Sequence, residues 1–148
     1  MKLVTTFLAH FTVSLFLTTL LTTSTEAQSQ TYRARLSPMP VTPQTVNTIT
    51  GGGEVILTLN GNSLTVAGNF SGMSSAATMA HIHNGPPAQP GPVVHQLQVS
   101  AAAAGDVTAE LQLTAEQVTA LSNNEFYVQI HSANNTEGEL RGWIFLRK

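Results

Sequence analysis

The stretch that decides the fold is EVILTLNGNSLTVAGNF, residues 54–70. On both sides of Asn60-Gly61 its apolar residues recur at every second position, beginning with the run from Val55 to Leu59. This alternation is typical of a β-strand with one buried face, because successive side chains point to opposite faces. An Asn-Gly pair between two such runs is a strong signal for a two-residue hairpin. The segment therefore predicts two antiparallel strands joined by a tight turn.

The rest of the chain repeats this pattern at regular intervals. Tyr32 to Leu36 alternates and then runs into three prolines, which predicts an edge strand. Thr114 and Gln117 have the side chains of a capping box, which predicts one short helix ending near Asn123. Many short, evenly spaced strands favour a sandwich or a barrel. The further predicted strands, each bounded by Gly, Pro or Asn clusters, cover residues 78–83, 93–99, 106–113, 125–131 and 140–146.

Residues 1–27 have the features of a secretory signal peptide. Lys2 is followed by a largely apolar run from Leu3 to Leu21, and the segment ends in small residues at Ala27. A retained membrane anchor is the alternative, but threonines dilute the run, and a bilayer span needs about 20 predominantly apolar residues. We therefore predict cleavage near Ala27, a secreted protein of the extracellular space or periplasm, and one domain at residues 28–148.

The composition excludes several classes of protein. The chain has no cysteine, so an exported form has no disulfide framework. Asp, Glu, Lys and Arg make up 9% of the residues, and the formal net charge is -2. This balance gives no indication of attraction to nucleic acid, or to a membrane after signal cleavage. We predict neither as a partner, and the sequence carries no signal of oligomeric state.

Histidines form the most informative chemical pattern. His81 and His83 lie two apart in a predicted strand, which places their side chains on one face about 6.6 Å apart along the strand. His131 at the end of another predicted strand is a candidate third ligand, and imidazole suits copper and zinc. Ligand bonds near 2.0 Å require the nitrogens to lie within about 4 Å of one another. The alternative is that the rings bond to the backbone of the loop after Asn84.

Four motifs, taken in order, closely resemble those of the CHRD domain, a module first named in chordin and widespread in secreted microbial proteins. They are AHIH at residues 80–83, GPVV at 91–94, YVQIH at 127–131 and EGELRG at 137–142. The resemblance covers roughly residues 31–147. It implies an all-β domain, but it implies little chemistry, because the role of most microbial members is undefined.

A more distant likeness links the same residues to copper/zinc superoxide dismutases. The order His81, His83, His131, Arg141 is similar to the order of copper ligands and active-site arginine in that family. The likeness implies copper ligation by the histidines and an anion-steering role for Arg141. The chain departs from the family in having no cysteine for the bracing disulfide and no evident zinc loop, and His95 is at most a weak candidate for a fourth ligand.

Structural roles are the alternatives for the residues around the histidines. Arg141 is a candidate for an ion pair with Glu139 or Glu54, or for a clamp on loop carbonyls. Tyr127 and Trp143 are candidates for stacking against a sugar or for packing.

We predict an all-β domain, an antiparallel Greek-key or immunoglobulin-like sandwich with one short helix. We predict that it binds a transition metal, copper before zinc, through His81, His83 and His131. A metal-free extracellular module that binds protein or carbohydrate is the alternative. A superoxide dismutase-like copper enzyme is a lesser alternative, and we expect binding rather than catalysis.

Overall fold

The computed structural model describes residues 28–148, so the predicted signal peptide at residues 1–27 lies outside the described residues. Within residues 28–148 the elements are eight strands and one helix. In chain order they are β1 (Gln30–Pro38), β2 (Gly52–Asn60), β3 (Ser63–Ser71), β4 (Ala77–Asn84), β5 (Val93–Val99), β6 (Gly105–Gln112), α1 (Ala115–Ser122), β7 (Phe126–Ser132) and β8 (Leu140–Leu146).

The strands pair antiparallel and close into one barrel, in the order β1-β2-β3-β6-β5-β4-β7-β8. The all-β antiparallel prediction is confirmed, but a closed barrel replaces the predicted Greek-key or immunoglobulin-like sandwich. The predicted edge strand β1 is also wrong, because Ala34 pairs with Val55 of β2 on one side and with Ile144 of β8 on the other. Closure removes the unpaired strand edges that an open sheet would present.

The β2–β3 hairpin forms as predicted, with Asn60 paired to Ser63 across the turn. Gly61 has a φ of 61° there, the left-handed conformation that this type of turn favours. Leu57 and Leu64 from the two strands are fully buried. Alternate residues of the other strands join them in one hydrophobic core, which includes Tyr32, Ile82, Leu97, Val107, Val128, Ile130, Leu140 and Ile144.

The predicted helix begins with the predicted capping box. The Gln117 backbone amide donates to the Thr114 hydroxyl, and the Thr114 amide donates to the Gln117 side chain. Ala120 and Leu121 of α1 belong to the barrel core. Among the described residues, no helix is long and apolar enough to cross a membrane.

Three adjacent strands, β4, β7 and β8, position the predicted site. Ala80, Ile82, Val128 and Ile130 point into the core, so the residues between them point outward. The outward residues lie opposite one another in cross-strand rows. These rows are Met79 with His131, His81 with Gln129 and Arg141, and His83 with Tyr127 and Trp143.

Candidate functional site

The structure brings the three predicted ligand histidines together on the outer face of the barrel. His81 Nδ1 lies 3.2 Å from His131 Nε2. The centroid of the His83 ring lies 5.8 Å from that of His81 and 6.5 Å from that of His131. One ring nitrogen from each residue lies within 4.8 Å of the others. Among residues 28–148 this is the one group of three or more metal-ligating side chains of this kind.

Two of the rings are oriented by loop carbonyls. His83 Nδ1 donates to the carbonyl of Gly91, in the β4–β5 loop, at 2.9 Å. His131 Nδ1 donates to the carbonyl of Thr136, in the β7–β8 loop, at 2.8 Å. A carbonyl oxygen only accepts hydrogen bonds, so both Nδ1 atoms carry the proton and both neutral rings keep a lone pair on Nε2. Metal-binding histidines are fixed in the same way by a partner on the other nitrogen.

The Nε2 atom of His83 is buried and has no hydrogen-bond partner within the described part of the chain. Leaving a buried polar atom unpaired costs about 1–3 kcal/mol, so such atoms are rare and mark strain or function. His131 Nε2 receives the hydrogen bond from His81 Nδ1, because it has no proton of its own to donate. A metal ion at this point would satisfy His83 Nε2 and replace the bond between His81 and His131.

Burial and neighbouring groups favour the neutral form of the His81 and His83 rings. Burial lowers the pKa of His81 below its usual range, and the nearby His131 and His83 rings lower it further. Burial also lowers the pKa of His83, where the hydrogen bond to Gly91 opposes the shift and the charges of His131 and Arg141 add to it. Neutral imidazoles are the form that binds metal ions.

The ring nitrogens of the three histidines lie slightly farther apart than nitrogens that bind one metal ion together. Bonds of about 2.0–2.1 Å separate two ligand nitrogens by at most about 4 Å. The pair His81 and His131, at 3.2 Å, already meets this limit, whereas the full set extends to 4.8 Å. Ligation by all three rings therefore requires His83 to approach the other two by a movement of about 1 Å. Rotation of a side chain about its single bonds provides a shift of this size.

Aromatic packing encloses His83. Its ring stacks on Tyr127, with centroids 4.7 Å apart and planes 9° from parallel. The Tyr127 hydroxyl accepts from the Gly91 amide, and Trp143 Nε1 donates to the Gly85 carbonyl at 3.1 Å. Tyr127 is 1% exposed, so its ring has no free face for a sugar. Tyr127 and Trp143 therefore hold the β4–β5 loop over the site, in agreement with the packing alternative.

Arg141 lies next to the histidines without the predicted ion pairs. Its Nε donates to the Gln129 side chain at 2.7 Å, and Gln129 Nε2 donates to the Glu137 carbonyl at 2.7 Å. The guanidinium lies 4.7 Å from the centroid of the Tyr127 ring. Gln129 thus connects Arg141 to the β7–β8 loop, so the predicted clamp on loop carbonyls is indirect.

The two predicted carboxylate partners of Arg141 are engaged elsewhere. Glu54 forms an ion pair with Arg33 on the outer face of β1 and β2. Glu139 lies just before β8, and its carboxylate accepts hydrogen bonds from Ser74 in the β3–β4 loop and from the Thr50 amide in the β1–β2 loop.

His95 does not join the cluster. It pairs with Ile82 across β4 and β5, so it lies on the core side of the sheet, opposite to His81 and His83. Its Nε2 is 3.2 Å from the Gln117 side chain of α1. The structure thus places the weak fourth candidate against the helix, away from the other three.

Sequence reasoning missed the role of Glu139. This carboxylate is fully buried and accepts from the Ser74 amide at 2.6 Å, the Ser74 hydroxyl at 3.0 Å and the Thr50 amide at 3.1 Å. Burial raises the pKa of Glu139, but hydrogen bonds from Ser132, Ser74 and Thr50 outweigh that effect and lower its pKa below the usual range. Glu139 therefore ties three loops together near the strands of the site.

Comparison with known proteins gives the family. The family model described as CHRD domain matches residues 32–144. No curated protein matches the chain. The match spans β1 to most of β8 and includes all three histidines of the cluster. The chain therefore belongs to the CHRD-domain family.

Proposed function

We propose that this protein binds one transition-metal ion, copper in preference to zinc, through His81, His83 and His131. One observation carries the proposal: His83 Nε2 is buried and unpartnered while its Nδ1 is held by the Gly91 carbonyl. The same arrangement at His131, whose Nδ1 is held by Thr136, gives a second Nε2 lone pair close by. His81 supplies Nδ1, the atom that faces His131.

The donor set supports copper over zinc. The cluster consists of three imidazoles with no carboxylate or thiolate among the described residues around it. Nitrogen sites generally bind Cu²⁺ more tightly than Zn²⁺, and copper also accepts three nitrogen ligands in its reduced state. His81 is only partly buried, whereas His83 is 9% and His131 is 8% exposed. The ion would therefore arrive from the His81 side.

Family membership supports an extracellular location for this activity. CHRD domains are typically extracellular, which agrees with the signal peptide predicted at residues 1–27. An exported metal-binding protein without cysteine relies on imidazole ligands, which keep their affinity under oxidising conditions.

A second candidate is a metal-free module that binds an extracellular protein or carbohydrate through its loops. The observation in its favour is that His83 and His131 do fix two loops, through Gly91 and Thr136. A metal-free module leaves the unpaired, buried Nε2 of His83 unexplained, and for this reason we prefer the metal site.

A superoxide dismutase-like enzyme is the lesser alternative. Bound copper supplies reversible one-electron chemistry, and Arg141 offers a positive charge beside the cluster, with Nε engaged by Gln129. The sequence has no cysteine for the bracing disulfide of that enzyme family and no evident zinc loop.

Copper retention tests the metal proposal. Purified protein is incubated with excess copper, desalted and analysed for metal, in parallel with His83→Ala and with His95→Ala as the matched control. We expect about one equivalent in the wild type and in His95→Ala, and none in His83→Ala, with unchanged circular dichroism. Equal retention by wild type and His83→Ala would reject the site. Superoxide decay measured on the loaded protein then separates binding from catalysis.

A further inference from the structure

Met79 occupies the exposed margin of the histidine cluster. It lies directly opposite His131 in the pairing of β4 with β7, and it is two residues before His81 on β4. Ala80 is in the core, so Met79 and His81 point outward on the same face. Side chains directly opposite each other on antiparallel strands have Cβ atoms about 4.5–5.5 Å apart. A methionine side chain is long and flexible enough to span the separation between these two positions.

The exposure of Met79 is unusual for its side chain. Met79 is 44% exposed, whereas Met73 is 6% exposed and belongs to the core. Met79 and Gln96 both line an open depression of about 540 Å³ on β4 and β5. Gln96 in turn lies opposite His81. Met79 thus lies on the exposed face of β4, between His131 of β7 on one side and the β5 residues that line the depression on the other.

The charge of the site favours an ion of low charge. The three histidines and Met79 are neutral donors, and Arg141 is the charged side chain that acts on His83. The cost of moving an ion out of water rises steeply with its charge, and here no carboxylate of the described cluster offsets it. Thioethers are soft ligands that bind Cu(I) well and Zn²⁺ poorly.

We propose that Met79 is a fourth ligand of the metal site and makes the site selective for Cu(I). This inference rests on the proposed function, since it assumes ligation by His81, His83 and His131. Met79 completes the ligand set from the exposed side and is the first protein atom that an arriving Cu(I) ion meets. The ligand class is thus a monovalent soft cation held by three imidazoles and one thioether.

Competition with a Cu(I) chelator such as bicinchoninate, without oxygen and with ascorbate present, tests this inference. Met79→Leu keeps the volume of the side chain and removes the sulfur, and Met39→Leu is the matched control in the loop after β1. We expect Met79→Leu to bind Cu(I) about tenfold or more weakly, while its Zn²⁺ affinity stays within about twofold of wild type. X-ray absorption should show a copper–sulfur contribution in the wild type and in Met39→Leu that Met79→Leu lacks.

The outcomes separate this inference from the proposed function. Wild-type Cu(I) affinity in Met79→Leu, with binding lost in His83→Ala, would overturn the role of Met79 and leave the histidine site standing. Absence of copper–sulfur scattering in the loaded wild type would overturn it as well. Failure of the wild type to bind Cu(I), Cu(II) or Zn²⁺ would overturn both proposals.

Discussion

His83 Nδ1 donates to the Gly91 carbonyl at 2.9 Å, and this bond determines which nitrogen of the ring is available for a ligand. The Gly91 amide also donates to the Tyr127 hydroxyl, and the Tyr127 ring stacks on His83. Gly91 thus determines which nitrogen of His83 carries the proton. Through its bond to Tyr127 it also helps to hold the plane of the His83 ring. The β4–β5 loop is therefore part of the site, although it contributes no ligand of its own.

Gly91→Ala should weaken metal binding while the barrel stays folded. A Cβ at Gly91 would overlap the Asn84 carbonyl, so the loop must move and the carbonyl that holds His83 moves with it. Loss of a partner of this kind typically reduces metal affinity by about 10–100-fold. Gly52→Ala is the matched control, because its Cβ would meet no atom closer than 3.4 Å. Copper affinity measured by competition should fall in Gly91→Ala only, and equal affinities in the two variants would contradict the role of the loop.

Acid should destabilise the metal-free protein just below neutral pH. Burial lowers the pKa of His81 and of His83 in the folded state, whereas the unfolded chain takes up protons near about 6.5. Between the lowered values and about 6.5 the unfolded state holds more protons, so the free energy of unfolding falls as the pH falls through this window. Below the lowered values this contribution levels off.

Thermal melting between pH 7.5 and 5 measures this effect. The melting temperature of the wild type should decrease over the range, and the decrease should be smaller in His81→Asn, which lacks one of the two titrating groups. Identical pH dependence in the two proteins would show that His81 does not contribute. Copper retention should decline over the same range, because protons compete with the metal for the rings.

Glu139→Ala should destabilise the fold far more than Glu137→Ala. Glu139 is fully buried, and its removal leaves the Thr50 and Ser74 amides without an acceptor. The expected loss is at least about 3 kcal/mol in the free energy of unfolding. The Glu137 side chain is exposed, so its replacement should change stability by less than about 0.5 kcal/mol. Urea denaturation of both variants tests this, and a loss below about 1 kcal/mol at Glu139 would contradict the structural role.

The local features of this protein were predictable from its sequence. The β2–β3 hairpin follows from Asn60-Gly61 between two alternating runs, and the helix start follows from Thr114 and Gln117. The shared face of His81 and His83 follows from the two-residue period of a strand. Each of these features depends on neighbours within a few positions in the chain.

Contacts between distant segments were not predictable in the same way. Closure of the barrel depends on the pairing of β1 with β8, such as Ala34 with Ile144, and evenly spaced strands suit a sandwich and a barrel equally. Every residue of β7 is buried, His131 and Tyr127 on its outer face included, because the β4–β5 and β7–β8 loops lie over that face. The path of such a loop produces no periodic pattern in the sequence from which it could be predicted.

Nitrogen-detected NMR of the histidine rings tests the central claim most directly. In the metal-free protein near pH 7.5, we expect His83 and His131 to carry their protons on Nδ1. One equivalent of Cu(I) should shift Nε2 of both residues and Nδ1 of His81, and the His81 proton should move to Nε2. His95 should not change. Unchanged spectra of His81, His83 and His131 after addition of the metal, or protons found on Nε2 of His83 and His131 beforehand, would contradict the proposed site.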